Sequence, residues 1–255
     1  MSRSVGVVLP AYRPDMDQLG TYIAAIDDAL APQTIVVELD APRDGVPVQL
    51  RSLPIEVHTV PYRRGKGAAI TAGFERLETD VLAFVDADGS TPVNSLERIL
   101  DPVIDSRTDL AVGSRRHPDA TVATHQTFAR RFLGDGFAWL AGQLLDARLY
   151  DYQCGAKAID VAAWERVRDH LYEPGFAWDV ELIAIAAALD LRIEEVPIEW
   201  EDKPGSTVSP IRTSIDLLEA LLTARHRSKQ LRDDRLHTAL AEHFDEPTAL
   251  IEKDR

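Results

Sequence analysis

Residues 81–89 read VLAFVDADG, and this stretch decides what fold we expect. Five consecutive apolar residues predict a buried strand, and Gly89 predicts a turn directly after it. The strand would carry two carboxylates, Asp86 and Asp88, to the edge of a sheet. Mg²⁺ and Mn²⁺ are usually bound by one or two carboxylates together with substrate phosphates. The pair is therefore a candidate metal site, although a strand followed by an ordinary Asp/Gly turn explains the same letters.

The surrounding sequence alternates short apolar runs with helix-like segments, which is typical of a mainly parallel α/β sheet flanked by helices. Strands are predicted over residues 5–9, 34–39, 55–60, 81–85, 110–115 and 193–198. Helices are predicted over residues 17–30, 67–77, 93–104, 126–145, 161–171, 180–189 and 211–231. In open α/β sheets ligands bind beyond the carboxyl ends of the strands. We therefore expect the motifs that follow these strands to lie close together.

Length and composition limit the organisation of the chain. Its 255 residues, 45% of them hydrophobic, are enough for one α/β domain over residues 1–232, followed by an acidic tail over residues 233–255. Cys154 is the single cysteine, which excludes an intramolecular disulfide and a Cys-rich zinc site. We expect no signal peptide and no membrane span, so a cytoplasmic location is the default.

The net charge of −14 argues against nonspecific nucleic-acid binding, because attraction to phosphates needs a cationic face. Asp outnumbers Glu and Arg outnumbers Lys, a balance that resembles the proteins of salt-accumulating halophiles. Such a surface repels itself at low ionic strength and is screened in concentrated salt. We therefore expect the protein to be halophilic.

Six motifs stand out: five lie at the ends of predicted strands or the starts of predicted helices, and one lies in the predicted loop after residue 145. They are LPAY at residues 9–12, RGKGAA at 64–69, DAD at 86–88, GSR at 113–115, DYQCGAK at 151–157 and WDVE at 178–181. Together they resemble the family 2 glycosyltransferases with a GT-A (Rossmann-like) fold, and among these the polyprenyl-phosphate (dolichyl-phosphate) hexosyltransferases. The resemblance covers residues 4–225. The forms DADGS and DxQCGxK favour the dolichyl-phosphate glucosyltransferase branch over the mannosyl branch.

The residues themselves give a physical reason for a donor site. Gly65 and Gly67 allow a close backbone approach, a helix N-terminus favours anions, and Lys66 adds a positive charge. A basic surface loop is the alternative. Pro10 and Tyr12 end the first strand, where an aromatic ring can support a base or ribose, or can simply cover the sheet edge.

The resemblance implies a role for each member of this donor site. Asp86 would lie near the sugar or ribose, Asp88 would hold Mg²⁺ or Mn²⁺, and Asp86 would be a second candidate ligand. The loop of Asp151 and Gln153 would close over the sugar. The whole nucleotide-sugar set is Pro10, Tyr12, Asp40, Lys66, Gly67, Asp86, Ala87, Asp88, Asp151 and Gln153.

Asp40 is the candidate partner of the pyrimidine base because it follows the second strand. Here ELDA at residues 38–41 replaces the family's usual Asp-Asp-Gly-Ser. A solvated turn aspartate is the alternative interpretation.

The acceptor side rests on arginines, whose guanidinium groups bind phosphate with bidentate geometry. The candidates for the acceptor phosphate are Arg115, Arg130, Arg131 and Ser206. The family has a Ser four residues after its Arg, where this chain has Gly134. Asp179 is carried over as a catalytic residue and Glu181 as a site residue, although acidic residues also favour a helix start through the dipole.

The resemblance implies an inverting enzyme that transfers a hexose, glucose in the first instance, from a nucleotide sugar to a polyprenyl phosphate. UDP-glucose is the favoured donor and GDP-mannose the alternative, with the lipid met at the cytoplasmic face of a membrane. One rival uses a soluble or polysaccharide hydroxyl acceptor, with Asp179 as the base. A GT-A-like nucleotidyltransferase would have its Gly-rich loop directly after strand one, where this chain has PAYRP at residues 10–14. A noncatalytic interaction protein is the last alternative.

Overall fold

A computed structural model describes residues 3–42, 50, 53–122, 128–201, 210–232 and 248–253. The side chains of residues 128–134 and 210–216 are outside this description. Most of the predicted acidic tail also lies outside it, so the proposed domain boundary after residue 232 stays a prediction.

The strands within the described ranges agree with the expected ones and include additional short strands. They are Val5–Tyr12 (β1), Thr34–Asp40 (β2), Glu56–Val60 (β3), Val81–Val85 (β4), Leu110–Ser114 (β5), Thr121–Val122 (β6), Ala156–Asp160 (β7), Ile193–Pro197 (β8) and Glu199–Trp200 (β9). The helices are Met16–Leu30 (α1), Lys66–Phe74 (α2), Val93–Ile104 (α3), Phe128–Leu144 (α4), Val161–Val167 (α5), Trp178–Ala188 (α6), Pro210–Leu231 (α7) and Leu250–Lys253 (α8).

Seven strands form one open sheet in the order β3-β2-β1-β4-β7-β5-β8. All its neighbouring pairs are parallel except those of β7, which runs antiparallel to both β4 and β5. The sheet is therefore mixed and mainly parallel, and its helices lie on both faces, which confirms the predicted fold class. Strands β6 and β9 form a separate parallel pair.

Strand β7 is the main departure from the expected strands. Residues 156–160 follow the DYQCG loop, for which no strand was predicted, and they carry Lys157 at the second position. The predicted helix over residues 161–171 is also shorter: α5 ends at Val167 and a 3₁₀ turn, Arg168–His170, follows it.

Alternate residues of the strands enter different cores, as the two-residue period of a strand requires. Val7 and Ala83 lie in the core with α1 and α3, whereas Val8 and Phe84 lie in the core with α2, α5 and α6. Phe84 also meets Trp178 edge to face, with ring centroids 5.6 Å apart. Helices thus cover both faces of the sheet. The carboxyl ends of the parallel strands remain accessible.

In the described ranges, no helix has both the length and the apolar composition required to cross a bilayer.

Candidate active site

The carboxyl ends of the parallel strands bring the sequence motifs to one edge of the sheet. Tyr12 and Asp40 end β1 and β2, Asp86 follows β4, and Arg115 follows β5. Because β7 is antiparallel, its amino end lies at the same edge and brings the loop of residues 151–155 there. The expected convergence is therefore observed, with an antiparallel strand supplying one of its members.

Asp86 is held tightly against the start of β7. Its backbone N–H donates to the Gly155 carbonyl oxygen over 2.8 Å. A Cβ atom on residue 155 would lie 1.8 Å from Asp86 Oδ2, so only glycine leaves room for this carboxylate. The Asp86 side chain remains 41% exposed, and the Lys66 Nζ lies 2.9 Å from its Oδ1.

Asp88 lies in the turn that the sequence predicted. Gly89 has φ +67°, a left-handed conformation that glycine adopts without the usual strain. Asp88 Oδ1 accepts a 2.9 Å hydrogen bond from the Ser90 backbone N–H, while the side chain of Gln18 donates to the Asp88 carbonyl oxygen. Asp88 is exposed, and its carboxylate is close enough to Asp86 to raise the pKa of that carboxyl.

Charges alternate inward from Asp86 into the protein. Lys66 Nζ contacts Asp86 and also lies 3.2 Å from Asp179 Oδ2, and Lys157 Nζ lies 2.5 Å from Asp179 Oδ1. Burial lowers the pKa of Lys66, but the nearby Asp179 and Asp86 outweigh it, so that pKa is raised and Lys66 stays charged. The pKa of the Asp86 carboxyl is raised, mainly by burial and further by the neighbouring Asp88, and Lys66 only partly offsets this rise.

Asp86 and Asp88 suit a divalent cation of the Mg²⁺ or Mn²⁺ type that is shared with a substrate. They supply hard carboxylate oxygens at an accessible edge, one residue apart. No cluster of three or more His, Cys, Asp or Glu side chains suited to a metal ion occurs among the described residues. The donor set thus fits a cation completed by phosphate oxygens and water rather than a closed protein cage.

The glycines around Lys66 serve the packing of the protein itself. The backbone N–H groups of Gly67 and Ala68 donate to the carbonyl oxygens of Gly175 and Pro174, over 3.2 and 3.1 Å. A Cβ atom on residue 65 would lie 2.3 Å from the Pro174 carbonyl oxygen. These amides are therefore engaged by the 174–175 loop, and the charge of Lys66, not an open helix N-terminus, is what the site offers to an anion.

Asp40 anchors the loop that precedes Lys66. Its Oδ2 accepts hydrogen bonds from the backbone N–H groups of Arg64 and Gly65, over 2.7 and 3.2 Å. Arg64 Nε donates to Asp40 Oδ1, and its Nη2 lies 2.7 Å from the fully buried Glu38. Both carboxylates of β2 thus hold Arg64, and binding of a base by Asp40 stays a prediction.

Tyr12 is an exposed aromatic member of the nucleotide-sugar set, with 42% of its surface accessible. The guanidinium carbons of Arg63 and Arg13 lie 4.5 and 5.2 Å from its ring centroid. An aromatic ring flanked by two cations offers both a stacking face and positive charge to a nucleotide. Pro10, by contrast, is half-buried in β1.

Arg115 and Asp151, predicted for different sides of the site, bind each other. Arg115 Nε and Nη2 donate to Asp151 Oδ2 and Oδ1 over 2.7 and 3.0 Å, a bidentate pair. The Gln153 backbone N–H also donates to Asp151 Oδ1, over 3.0 Å. Asp151 is 2% exposed, so in this structure it orders the loop after α4 and orients Arg115.

The Arg115–Asp151 pair predicts a pH dependence of stability. Burial raises the pKa of Asp151, but Arg115 outweighs it and holds that pKa at about 2, below its usual range. A depressed folded-state pKa gives stability that is present above the unfolded value and is lost as pH falls toward the folded value. Between about pH 4 and pH 2 we expect the wild type to lose about 2 kcal/mol more unfolding free energy than Asp151→Asn.

Urea unfolding at several pH values in this window measures the difference. Other acidic groups with shifted pKa values, such as Asp86 and Glu181, are common to both proteins and cancel in the comparison. Equal pH slopes for the wild type and Asp151→Asn would show that the pair does not hold Asp151 ionised.

Glu181 contacts α7 and the loop that begins at residue 172. Its Oε2 accepts from the backbone N–H groups of Tyr172 and Glu173, over 2.9 and 2.8 Å, and Arg227 pairs with its Oε1. The Arg227 guanidinium also stacks over the Tyr172 ring at 4.5 Å. Glu181 therefore fixes the loop that engages Gly67 and Ala68, and it supports Lys66 indirectly.

Several acceptor candidates fall outside what the structure describes. Arg130 and Arg131 belong to α4, but their side chains are not described, and Ser206 is not described at all. Their assignment to an acceptor phosphate stays a prediction.

The quoted motifs contain Lys157, Arg64, Glu38 and Gly155, but the sequence did not show which groups these residues contact. A lysine inside an apolar strand and two acidic residues in β2 were available signals, because charged residues in buried strands need partners. The importance of Gly155 emerges only from the position of Asp86.

The open mixed sheet, with carboxylates and a lysine at its carboxyl edge, is that of the GT-A glycosyltransferases. It resembles glucosyl-3-phosphoglycerate synthase from Mycobacterium tuberculosis, solved with Mn²⁺, UDP-glucose and phosphoglyceric acid, with a TM-score of 0.68 at 15% identity, covering 88% of this chain and 80% of that one. The Glycosyl transferase family 2 model matches residues 7–143, more than half of the chain. The chain belongs to glycosyl transferase family 2.

Relatives with established names extend the similarity beyond that segment. Glycosyltransferase AglD of Haloferax volcanii is 28% identical over 233 residues, which are 86% of this chain and 36% of that protein. The dolichyl-phosphate beta-glucosyltransferase of Saccharomyces cerevisiae is 32% identical over 173 residues, 64% of this chain and 52% of that protein. The mouse enzyme of the same name is 28% identical, covering 89% of this chain and 76% of its own length. The chain thus spans only about a third to a half of the first two relatives.

Proposed function

We propose that this chain transfers a hexose, glucose in the first instance, from a nucleotide diphosphate sugar to a polyprenyl phosphate such as dolichyl phosphate, with inversion at the anomeric carbon. The observation that carries the proposal is the open edge after β4, where Asp86 lies 2.9 Å from the Lys66 ammonium group and the exposed Asp88 follows in the turn. Family membership and the names of the relatives support the reaction class and the lipid acceptor.

The leaving group would be stabilised at this edge. A Mg²⁺ or Mn²⁺ ion held by Asp88 and Asp86 would act as a Lewis acid toward the departing nucleoside diphosphate. Lys66, which stays charged and is 10% exposed, adds a second positive charge beside Asp86 at the same edge. Tyr12 lies on the same edge, where a base can stack. Contacts within the protein hold Lys66 and Tyr12 at this edge, and electrostatic catalysis requires such preorganised groups.

The contacts of Asp179 favour an acceptor that is already an anion. A sugar hydroxyl needs a general base, and Asp179 was the natural candidate. Yet Asp179 is 1% exposed, and its two oxygens face Lys157 and Lys66 at 2.5 and 3.2 Å. A phosphate oxygen attacks without losing a proton, so the enzyme has only to position it. This arrangement supports the polyprenyl phosphate over the soluble hydroxyl acceptor.

Exposed apolar side chains offer further support for a lipid acceptor. Trp139 on α4 is 68% exposed, and Leu218 and Leu222 on α7 are 42% and 52% exposed. In contrast, Phe137 and Leu140 pack against the core. Exposed tryptophan is common where a protein meets a membrane interface. A peripheral position on the cytoplasmic face of a membrane is part of the proposal.

The direct test is transfer of label from a nucleotide sugar into lipid. Purified protein is incubated with dolichyl phosphate, Mn²⁺ or Mg²⁺, and labelled UDP-glucose, UDP-N-acetylglucosamine or GDP-mannose. We expect metal-dependent label in the organic phase, strongest from UDP-glucose, with a β-linked product. The same reactions without dolichyl phosphate or with EDTA are the controls. If no donor labels the lipid but label enters a water-soluble acceptor, the lipid assignment is wrong.

A further inference from the structure

Lys157 is a charged residue in the centre of the sheet. It lies on β7 in register with Phe84 of β4 on one side and with Val112 of β5 on the other. Its side chain is 1% exposed. Lysine is almost never fully buried unless it is paired, because burying an unpaired ammonium group carries a large desolvation cost. Its position therefore requires a specific partner.

That partner is Asp179, which Lys157 shares unequally with Lys66. Lys157 Nζ donates to the Cys154 carbonyl oxygen over 2.7 Å and lies 2.5 Å from Asp179 Oδ1. Lys66 Nζ lies farther away, 3.2 Å from Asp179 Oδ2, and 2.9 Å from Asp86 Oδ1. Lys157 is thus the closer charge partner of Asp179, and Lys66 is the one that reaches the open edge.

The charge balance of this cluster determines whether the Lys66 ammonium group can interact with a diphosphate. Two lysines and two aspartates compensate one another in this cluster. For Lys66 to interact with a diphosphate, the buried Asp179 must keep a cation when Lys66 weakens its own contact. A buried carboxylate left without a partner is strongly destabilising. Lys157 contacts the other carboxylate oxygen of Asp179, so Asp179 keeps a cationic partner when Lys66 interacts with the diphosphate.

We propose that Lys157 is a positioning residue for donor binding: by pairing with Asp179 it releases the Lys66 ammonium to serve the diphosphate. The inference rests on the proposed function, since it assumes that a nucleoside diphosphate binds beside Lys66. It assigns Lys157 no contact with substrate. Its effect passes through Asp179, so removing Asp179 should remove the need for Lys157.

The experiment measures UDP affinity by calorimetry, with and without Mn²⁺, for the wild type and three variants. In Lys157→Met, Lys66 becomes the main partner of Asp179, and we expect UDP to bind about tenfold more weakly, within the range of coupling between contacting residues. In Lys157→Met/Asp179→Asn, Lys66 is free again, and we expect the wild-type affinity to return. Asp179→Asn alone should bind UDP at least as tightly as the wild type.

UDP lacks the sugar, so the readout is independent of any role of Asp179 toward the sugar or acceptor. Circular dichroism and melting temperatures confirm that each variant is folded at the temperature of the titration. A purely structural Lys157 would leave the affinity of the folded Lys157→Met protein unchanged, or would leave the double variant as weak as the single one. Either result overturns the inference.

Two further outcomes separate the inference from the proposed function. If the wild type binds UDP and Lys157→Met binds it equally well, only the role of Lys157 is rejected. If the wild type binds neither UDP nor GDP, the donor site itself is rejected, and the inference with it.

If Lys157→Met does not fold, Asp179→Asn carries the test, and weaker UDP binding by that variant contradicts the release of Lys66.

Discussion

Asp88→Ala is expected to abolish metal-dependent transfer, with turnover reduced by about 10³-fold or more, because a Lewis acid supplies several kcal/mol of transition-state stabilisation. The fold should survive. Asp88 is exposed, and its side chain accepts one 2.9 Å hydrogen bond, from the Ser90 N–H, so the stability loss should be about 1 kcal/mol. Transfer from UDP-glucose to dolichyl phosphate is measured as Mn²⁺ is titrated, and urea unfolding gives the stability.

Asp101→Ala is the matched control for this prediction. Asp101 is an exposed aspartate on α3 and lies outside the groups of the carboxyl edge. Its replacement changes the net charge by the same amount, so it separates a loss of the cation from a general electrostatic effect on an acidic protein. Asp88→Ala turnover with the metal dependence of the wild type would remove Asp88 from the metal site.

The sequence predicted the edge at which Asp86 and Asp88 lie because the signals for it are local. An apolar run followed by Asp86, Asp88 and Gly89 predicts both the strand and the turn, and the observed bounds of β4 match it. The start of α2 at Lys66 follows from the same kind of pattern. Since parallel strands end at one edge, their convergence also follows from topology.

The partners of the charged residues were not predictable in the same way. Asp179 is 22 residues from Lys157 and 113 from Lys66, and no periodic pattern records such pairings. Arg115 shows the consequence: its bidentate geometry was anticipated, but its partner in the structure is Asp151, 36 residues away. A motif indicates the kind of ligand a side chain prefers, whereas the fold determines which group reaches it first.

The glycines make the same point for the backbone. Gly65 and Gly67 were interpreted as allowing the backbone to approach a ligand closely. In the structure, a Cβ on residue 65 would meet the Pro174 carbonyl oxygen, and one on residue 67 would meet the Glu173 carbonyl oxygen and the Trp178 side chain. A glycine in the sequence indicates that another group packs closely against the backbone, but it does not identify that group. Strand β7 was missed for a related reason: five residues with a lysine among them resemble a loop until Lys157 has its partner.

Gly155→Ala is expected to inactivate the enzyme although it replaces no charged residue. The added Cβ would lie 1.8 Å from Asp86 Oδ2 and 2.2 Å from Asp86 Cγ, so the carboxylate has to leave its position beside Lys66. A displacement of about 1 Å in a catalytic group can reduce turnover about 100-fold, and we expect at least that loss. Overpacking should also reduce the free energy of unfolding by about 1–3 kcal/mol. Turnover, Mn²⁺-dependent UDP affinity and urea unfolding measure the three effects.

Gly20→Ala provides the control, because a Cβ on that residue of α1 meets nothing within 4 Å. In a helix interior alanine is favoured over glycine by about 0.5–1 kcal/mol, so this variant should be slightly more stable and fully active. The same substitution thus has opposite consequences at two sites, and the difference lies in what the methyl group meets. Wild-type turnover in Gly155→Ala would mean that the position of Asp86 against Gly155 is not the one used in catalysis.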